Sequence, residues 1–493
     1  LPARFVFLLH SHMPYVRRNG DWPCGEEWIL EAWAESYLPF WELISDLSSA
    51  KRPGRLAITL TPVLAEQLED DYLQERLSGY LANKVRQAQE QAKTLEGRGE
   101  EERARVAAFY AERYSCLLQI YETRFRGRMM ETLSRGMASG KLEVLTSAAT
   151  HALLPSLGEE ACRRAQVRIG VESFRDRFHE EPSGFWLPEC AYTPELDGLL
   201  SGFSPPLRYI VLDHTVDGTT WRPRRLGSTP LIALLRDRIA HEMVWTVRGI
   251  PSHGAYRDYS KRDHQGHGFQ YWRITSVDAP IENKALYDPR KAGRQAAEDA
   301  RWFAAKLRER AASTGDDDAL ILSCYDMELL GHWWLEGPAW LADVLSLFGD
   351  DCALPGEAAQ LQAGTPPVAP SLTAWNVDDG FHTWINPGTA WLWENVLEAE
   401  GEFLAALRDA GAREKEALLQ AGRELLLLES SDWSYMMTRG QAAEYARQRF
   451  ASHLHRFRKS IDMARTRGID RRALDEVEDA DNLFPGLEPE SWR

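Results

Sequence analysis

Apolar and polar positions along the chain sort into short apolar runs separated by longer stretches of helical period. Seven runs read as strands: 4–9, 56–60, 142–145, 184–190, 208–212, 243–247 and 319–325. Short runs of this kind are what strands buried on both faces show. Helical patterns separate most of them, so the expectation is repeated βα units closing into a parallel barrel or an open sheet. From 81 to 140 the pattern is charged and helical, which predicts a helical insertion, and its charge run 100–105 reads as a solvated face. Beyond the Pro/Gly-rich passage 364–367, helical periodicity over 412–429 and 441–463 predicts a helical domain. In the expected layout, residues 1–80 begin the barrel, 81–140 form the insertion, 141–365 complete the barrel, and 366–493 make a C-terminal helical domain.

Polar or ionisable residues follow five of the seven runs: His10, His151, Glu189, Asp213 and Asp326. In a β/α barrel the C-terminal strand ends form the mouth where chemistry sits. The run Gly184-Phe185-Trp186-Leu187-Pro188 breaks at proline and presents Glu189 directly after it. A lone acid there is usually structural; Asp326, at another strand end, supplies the second. Two carboxylates on separate strand ends suit glycosidic-bond chemistry, one attacking the anomeric carbon and the other protonating the departing oxygen. Glu328 and Glu336 compete for the acid role and read as structural. His10 and His12 point to the same side of their strand. They suit metal ligation, a structural role, or hydrogen bonding to a polar ligand at the mouth. No acid stands between them as a metal site would want, and the hydrogen-bonding reading is preferred.

Composition narrows the ligand. A chain of 493 residues, 44% hydrophobic and 27% charged, is an ordinary globular protein of two or three domains. Its net charge of −16 argues against nucleic acid, which needs a basic footprint, and suits a neutral carbohydrate. Six scattered cysteines without Cys-x-x-Cys fit neither a zinc ribbon nor a disulfide framework. No stretch has the order of a signal peptide or the length of a membrane span, so a cytoplasmic protein without a membrane partner is expected. Several of the eighteen tryptophans lie in polar stretches: Asp21-Trp22-Pro23, His332-Trp333-Trp334 and Ser431-Asp432-Trp433. Aromatic faces at wet sites are what sugar rings stack on.

These segments resemble glycoside hydrolase family 57, and most of all its 1,4-α-glucan branching enzymes. Five motifs carry the resemblance: His10-Ser11-His12-Met13-Pro14-Tyr15, the segment at Thr150-His151, 184–189, 326–334, and 425–433 with Asp432-Trp433. The resemblance implies a distorted (β/α)7 barrel with a helical insertion and a C-terminal helical domain over the cleft. It implies Glu189 as nucleophile and Asp326 as general acid/base, with no metal or other cofactor. His10, His12 and His151 would hold the sugar beside the scissile bond. Trp28, Trp245, Trp375 and Trp384 would line the cleft, and Arg236, Gly249 and Asp432 would contact glucan. An amylose- or glycogen-like α-glucan is the implied partner. The stretch 213–241 departs from the branching pattern, being short and without the tyrosine that covers the cleft in those enzymes. Trp221 is its one large aromatic, read either as a substitute lid or as a packed rim residue. Met327, Leu330, Leu335 and Ala152 also replace usual residues. An α-amylase or 4-α-glucanotransferase with the same pair is the alternative, and a weakly active glucan-binding protein the third reading.

Overall fold

The computed structural model describes residues 3–21, 23–213, 220–264, 267–276, 278–361, 366–370, 372–375, 380–409, 415–465 and 470–493. Trp22, His214, Gly364 and Thr365 lie outside the described residues. Eight strands are found among the described residues: β1 (Arg4–Ser11), β2 (Leu56–Leu60), β3 (Leu142–Ser147), β4 (Gly184–Trp186), β5 (Tyr209–Leu212), β6 (Arg224–Arg225), β7 (Ile232–Leu235) and β8 (Leu320–Asp326). They form one sheet in the order β6-β7-β5-β4-β3-β2-β1-β8, parallel except for the β6–β7 pair. The sheet curls into a distorted barrel. Across the gap between β7 and β8, Asp237 N–H donates to the Leu322 carbonyl at 2.9 Å.

Side chains alternate between two cores, as a strand's two-residue period requires. Val6, Leu8, Trp186, Tyr209, Val211, Leu320, Leu322 and Cys324 pack together inside the barrel. Phe5, Phe7, Leu9, Ile58 and Ile321 face outward onto helices. Carrying the inward set one step past each apolar run brings His10 and Asp326 to the mouth, and these two are paired in register across β1 and β8. Thr59 of β2 is paired with His10 on its other side.

Two expected strands differ. The run 243–247 is not a strand: Arg238–Val244 is a helix whose N-cap, Asp237, accepts from Ala240 N–H at 3.0 Å. The sixth parallel strand is instead the fully buried β7. Four apolar residues carry too little periodicity to compete with a longer mixed run. β4 ends at Trp186, and Pro188–Cys190 form a 3₁₀ turn, since proline has no N–H to give a ladder. Trp221 sits at the far end of the barrel from the mouth. Its carbonyl accepts from Leu320 N–H at the start of β8 (3.0 Å), and the Arg310 guanidinium lies 5.2 Å from its ring centre, so it is not a lid.

The helical insertion opens at Asp71, where Asp70 caps the helix Asp71–Gly97 by accepting from Leu73 N–H; Glu101–Ile120 returns beside it. The C-terminal helices Ala390–Asp409, Lys415–Leu428, Ser431–Arg439, Ala443–Arg465 and Arg471–Ala480 share one apolar cluster with the outer faces of β4, β5 and β7. That shared core seats the start of Ser431–Arg439 against the mouth.

Candidate active site

Glu189 occupies the left-handed backbone region (φ 60°, ψ 19°), as do Cys190 (φ 49°) and His151 (φ 59°). Non-glycine residues there cost roughly 1 kcal/mol or more each and persist only where neighbours enforce them. Here Cys190 N–H closes the turn onto the Leu187 carbonyl at 2.9 Å, and Trp375 N–H donates to the Glu189 carbonyl at 2.5 Å. The turn leaves the Glu189 side chain 21% exposed at the mouth.

The Ser431 hydroxyl donates to Glu189 Oε1 at 3.1 Å, and His151 Nδ1 lies 3.0 Å from the same hydroxyl. His151 Nε2 meets His10 Nε2 at 3.1 Å, and His10 Nδ1 meets Thr59 Oγ1 at 2.6 Å. His12 bonds to Thr61 through Nδ1 (3.2 Å) and to both oxygens of Asp432 through Nε2 (3.0 and 3.1 Å). The His12 and His151 rings stack at 3.9 Å, and His10 stacks on Trp186 at 4.7 Å. The structure thus brings His10, His12, His151 and Asp432 together beside Glu189, with every imidazole nitrogen of the three rings engaged by protein. His12, His151 and Asp432 also offer ligand atoms within 4.8 Å of one another, the spacing of a metal triad; the acid that the first strand lacks comes from Asp432.

Burial dominates the electrostatics. It pushes the Glu189 carboxyl up to about 8, reinforced by the charges of Asp432 and Asp326 and opposed by the Ser431 hydroxyl and the Trp384 indole. It raises Asp326 to about 6, opposed first by the Arg236 guanidinium and then by His12. Burial, with neighbouring histidines adding, holds His10 and His151 well below the usual imidazole value, so both rings are neutral at pH 7. Glu328, also raised to about 8 by burial, is tied on two sides by the Tyr37 hydroxyl (2.6 Å) and His12 N–H (3.3 Å). Glu336 is buried and accepts from the Tyr287 hydroxyl at 2.5 Å. Both hold neighbouring elements in place.

The other expected contacts fall in three places. Trp375 packs edge-on to Trp186 (5.1 Å), and beneath it lies the Arg236 guanidinium, 4.6 Å from its ring centre. Arg236 is fully buried between Asp213 and His241, so it meets the cleft through the Trp375 ring and through its charge on Asp326. Trp384 is 2% exposed, 6.4 Å from Tyr435, which is 37% exposed. Trp245 pairs with the exposed Trp333 at 5.7 Å, and Trp28 meets Tyr445 edge-on at 5.2 Å. Gly249 opens the turn Ile250–Ser252, where a Cβ would fall 2.4 Å from the Val244 carbonyl oxygen. Ser431, Thr59, Tyr37 and Tyr435 were invisible as site residues in the sequence. Ser431 adjoins Asp432 in the fifth motif, the one signal that pointed its way.

Residues 6–229 match the model of glycosyl hydrolase family 57, and residues 395–492 match the C-terminal region of 1,4-α-glucan branching enzymes. A 1,4-α-glucan branching enzyme of Thermococcus kodakarensis is 33% identical over 97% of this chain and 77% of its own length. The GH57-type branching enzyme of Pyrococcus horikoshii superposes with a TM-score of 0.93 at 31% identity, covering 100% of this chain and 97% of that one. An α-amylase of Thermotoga maritima gives a TM-score of 0.86 at 25% identity, covering 100% and 99%. The chain belongs to glycosyl hydrolase family 57. Within it, the chain groups with the 1,4-α-glucan branching enzymes, whose C-terminal region it carries.

Proposed function

We propose that the chain is a retaining α-glucan-active enzyme that cleaves α-1,4 bonds and transfers the released chain to O6 of a second glucan. The observation that carries this reading is Glu189 on its left-handed turn, with the Ser431 hydroxyl on one carboxylate oxygen and the Asp326 charge acting on it from β8. In the first step Glu189 attacks the anomeric carbon, the glycosidic bond breaks, and Asp326 gives its proton to the departing oxygen. In the second, the incoming O6 bonds to the same carbon and its proton goes to Asp326. The ester electron pair then returns to Glu189.

Burial raises both carboxyls, to about 8 for Glu189 and about 6 for Asp326, so the pair retains one proton near neutral pH. Productive glucan binding requires that proton on Asp326, where the glycosidic oxygen becomes its acceptor. His10, His12, His151 and Asp432 line the subsite for the sugar next to the scissile bond. Trp28, Trp245, Trp375 and Trp384 line the track on either side, and Arg236 and Gly249 shape it. Its six cysteines are free thiols, which suits a cytoplasmic enzyme, and among the described residues no helix is long and apolar enough to cross a membrane.

Hydrolysis is the second reading, favoured by the short tyrosine-free stretch 213–241 and by the likeness to an α-amylase. The test is incubation with amylose, following reducing ends and, after debranching, the chain-length distribution. New α-1,6 links with few new reducing ends are expected. Reducing ends that rise without branches would replace transfer by hydrolysis. The roles of the pair are read from azide trapping. Glu189→Gly should yield a glycosyl azide of inverted configuration, and Asp326→Gly one of retained configuration. The opposite assignment would exchange the two residues.

A further inference from the structure

Thr59, His10, His151, Ser431 and Glu189 form an unbroken hydrogen-bonded line, with successive distances of 2.6, 3.1, 3.0 and 3.1 Å. Its direction follows from counting hydrogens. An ionised Glu189 only accepts, so Ser431 spends its one hydrogen on Oε1 and must accept from His151 Nδ1–H. A neutral imidazole carries one N–H, which leaves His151 Nε2 as an acceptor. His10 Nε2–H is then the donor to it, His10 Nδ1 accepts, and the Thr59 hydroxyl donates. Thr59 Oγ1 in turn accepts Ser11 N–H at 3.3 Å.

A proton on Glu189 Oε1 would reverse every bond in the line, whereas a proton on Oε2 would keep the direction and replace a charge-assisted acceptor by a weaker neutral one. In the reversed line His10 Nδ1–H would donate to Thr59 Oγ1, which already accepts from Ser11. The Thr59 hydrogen would be left without an acceptor among the described residues. Thr59 and His10 lie at strand ends, and His151, Glu189 and Ser431 on turns and a helix start around the mouth; Thr59, His10, His151 and Ser431 are buried, where a hydrogen without an acceptor costs most. One direction of the line is therefore satisfied from end to end, and it is the direction in which Ser431 donates to Glu189, a bond that favours the charged carboxylate.

We propose that Thr59, His10, His151 and Ser431 act as a directional hydrogen-bond relay whose polarity, set by Thr59, holds Glu189 in its ionised, attacking form. Thr59 and Ser431 are positioning residues in this scheme, acting through their neighbours. The relay supplies a physical reason for the proton of the carboxyl pair to reside on Asp326 when glucan fills the site. It rests on the reading of Glu189 as nucleophile.

The test uses the whole chain and pairs kinetics with direct sight of the hydrogens. Thr59→Val should lower kcat on amylose about tenfold with little change in KM, and should move the acid limb of the kcat profile up by about one pH unit. Thr59→Ser, which keeps the hydroxyl, should restore the limb. Ser431→Ala, which removes the final donor, should move it at least as far. Neutron diffraction of the wild-type protein above pH 8 should place hydrogen on Nε2 of His10 and on Nδ1 of His151. Hydrogens on the opposite nitrogens, or Thr59→Val with an unmoved acid limb, would overturn the relay. A wild-type chain that does not cleave amylose would instead defeat the reading of the site. The hydrogen positions would still decide whether the relay exists.

Discussion

At the scale of single residues, the site holds charge against its own solvation. The folded Glu189 value of about 8 lies above the ordinary glutamate value of about 4.3, so the folded state binds the extra proton between those limits. Whatever stability the protonated group contributes is fully present below the unfolded value and is lost as pH rises through about 8. Glu189→Gln should therefore be more stable than the parent at pH 8, by about 4 kcal/mol, and no more stable at pH 4. Denaturant unfolding at the two pH values measures this; an equal gain at both would show that desolvated charge is not the cause. The His12–His151–Asp432 triad makes a separate prediction. With these groups lining a sugar subsite, dialysis against EDTA should leave turnover within about twofold. Loss of activity restored by Zn²⁺ would make the triad a metal centre, because its ligand atoms already lie within 4.8 Å of one another.

At the scale of elements, the helix Glu160–Phe178 fixes the two segments that meet at Glu189. Its Gln166 carbonyl and side chain receive Ala149 N–H (2.9 Å) and Thr150 N–H (3.1 Å), and Gln166 Nε2 donates to Glu429 (2.6 Å) just before Ser431. The helix approaches β3 so closely at Gly170 that a Cβ there would fall 1.9 Å from the Ser147 carbonyl oxygen. Gly170→Ala should destabilise the fold by about 2–4 kcal/mol through forced separation of helix and strand. It should also lower kcat by displacing His151. A variant with unchanged stability would mean that the helix can slide without cost. The strands were legible where four or more inward and outward positions alternate, as in β1 and β8. β7 escaped because its four apolar residues say buried without saying strand. The 243–247 run misled because the capping role of Asp237 is clear only once the chain turns there.

Across the whole molecule, barrel and C-terminal helices are not separable by their cores. Phe185, Ile210 and Leu212 of the barrel share one cluster with Trp393, Leu425, Trp433 and Phe450. Differential scanning calorimetry should show one cooperative transition for both regions, and Glu189 ligands should raise it as a unit. Two resolved transitions would mean that the mouth is assembled from independently stable pieces. The shared cluster also explains why Ser431 and Asp432, more than 240 residues after Glu189 in the sequence, reach it and His12.

The sequence by itself determined the parallel barrel, the two carboxylates at strand ends and the family, because strand period and local motifs are properties of neighbouring residues. It also carried the histidines and the aromatic positions as types. What tertiary structure alone decided is how they are joined: that Asp432 closes on His12, that Arg236 lies beneath Trp375, and that a line from Thr59 ends on Glu189. Hydrogen-bond direction depends on distances between residues up to 280 positions apart. No pattern read along the chain contains them.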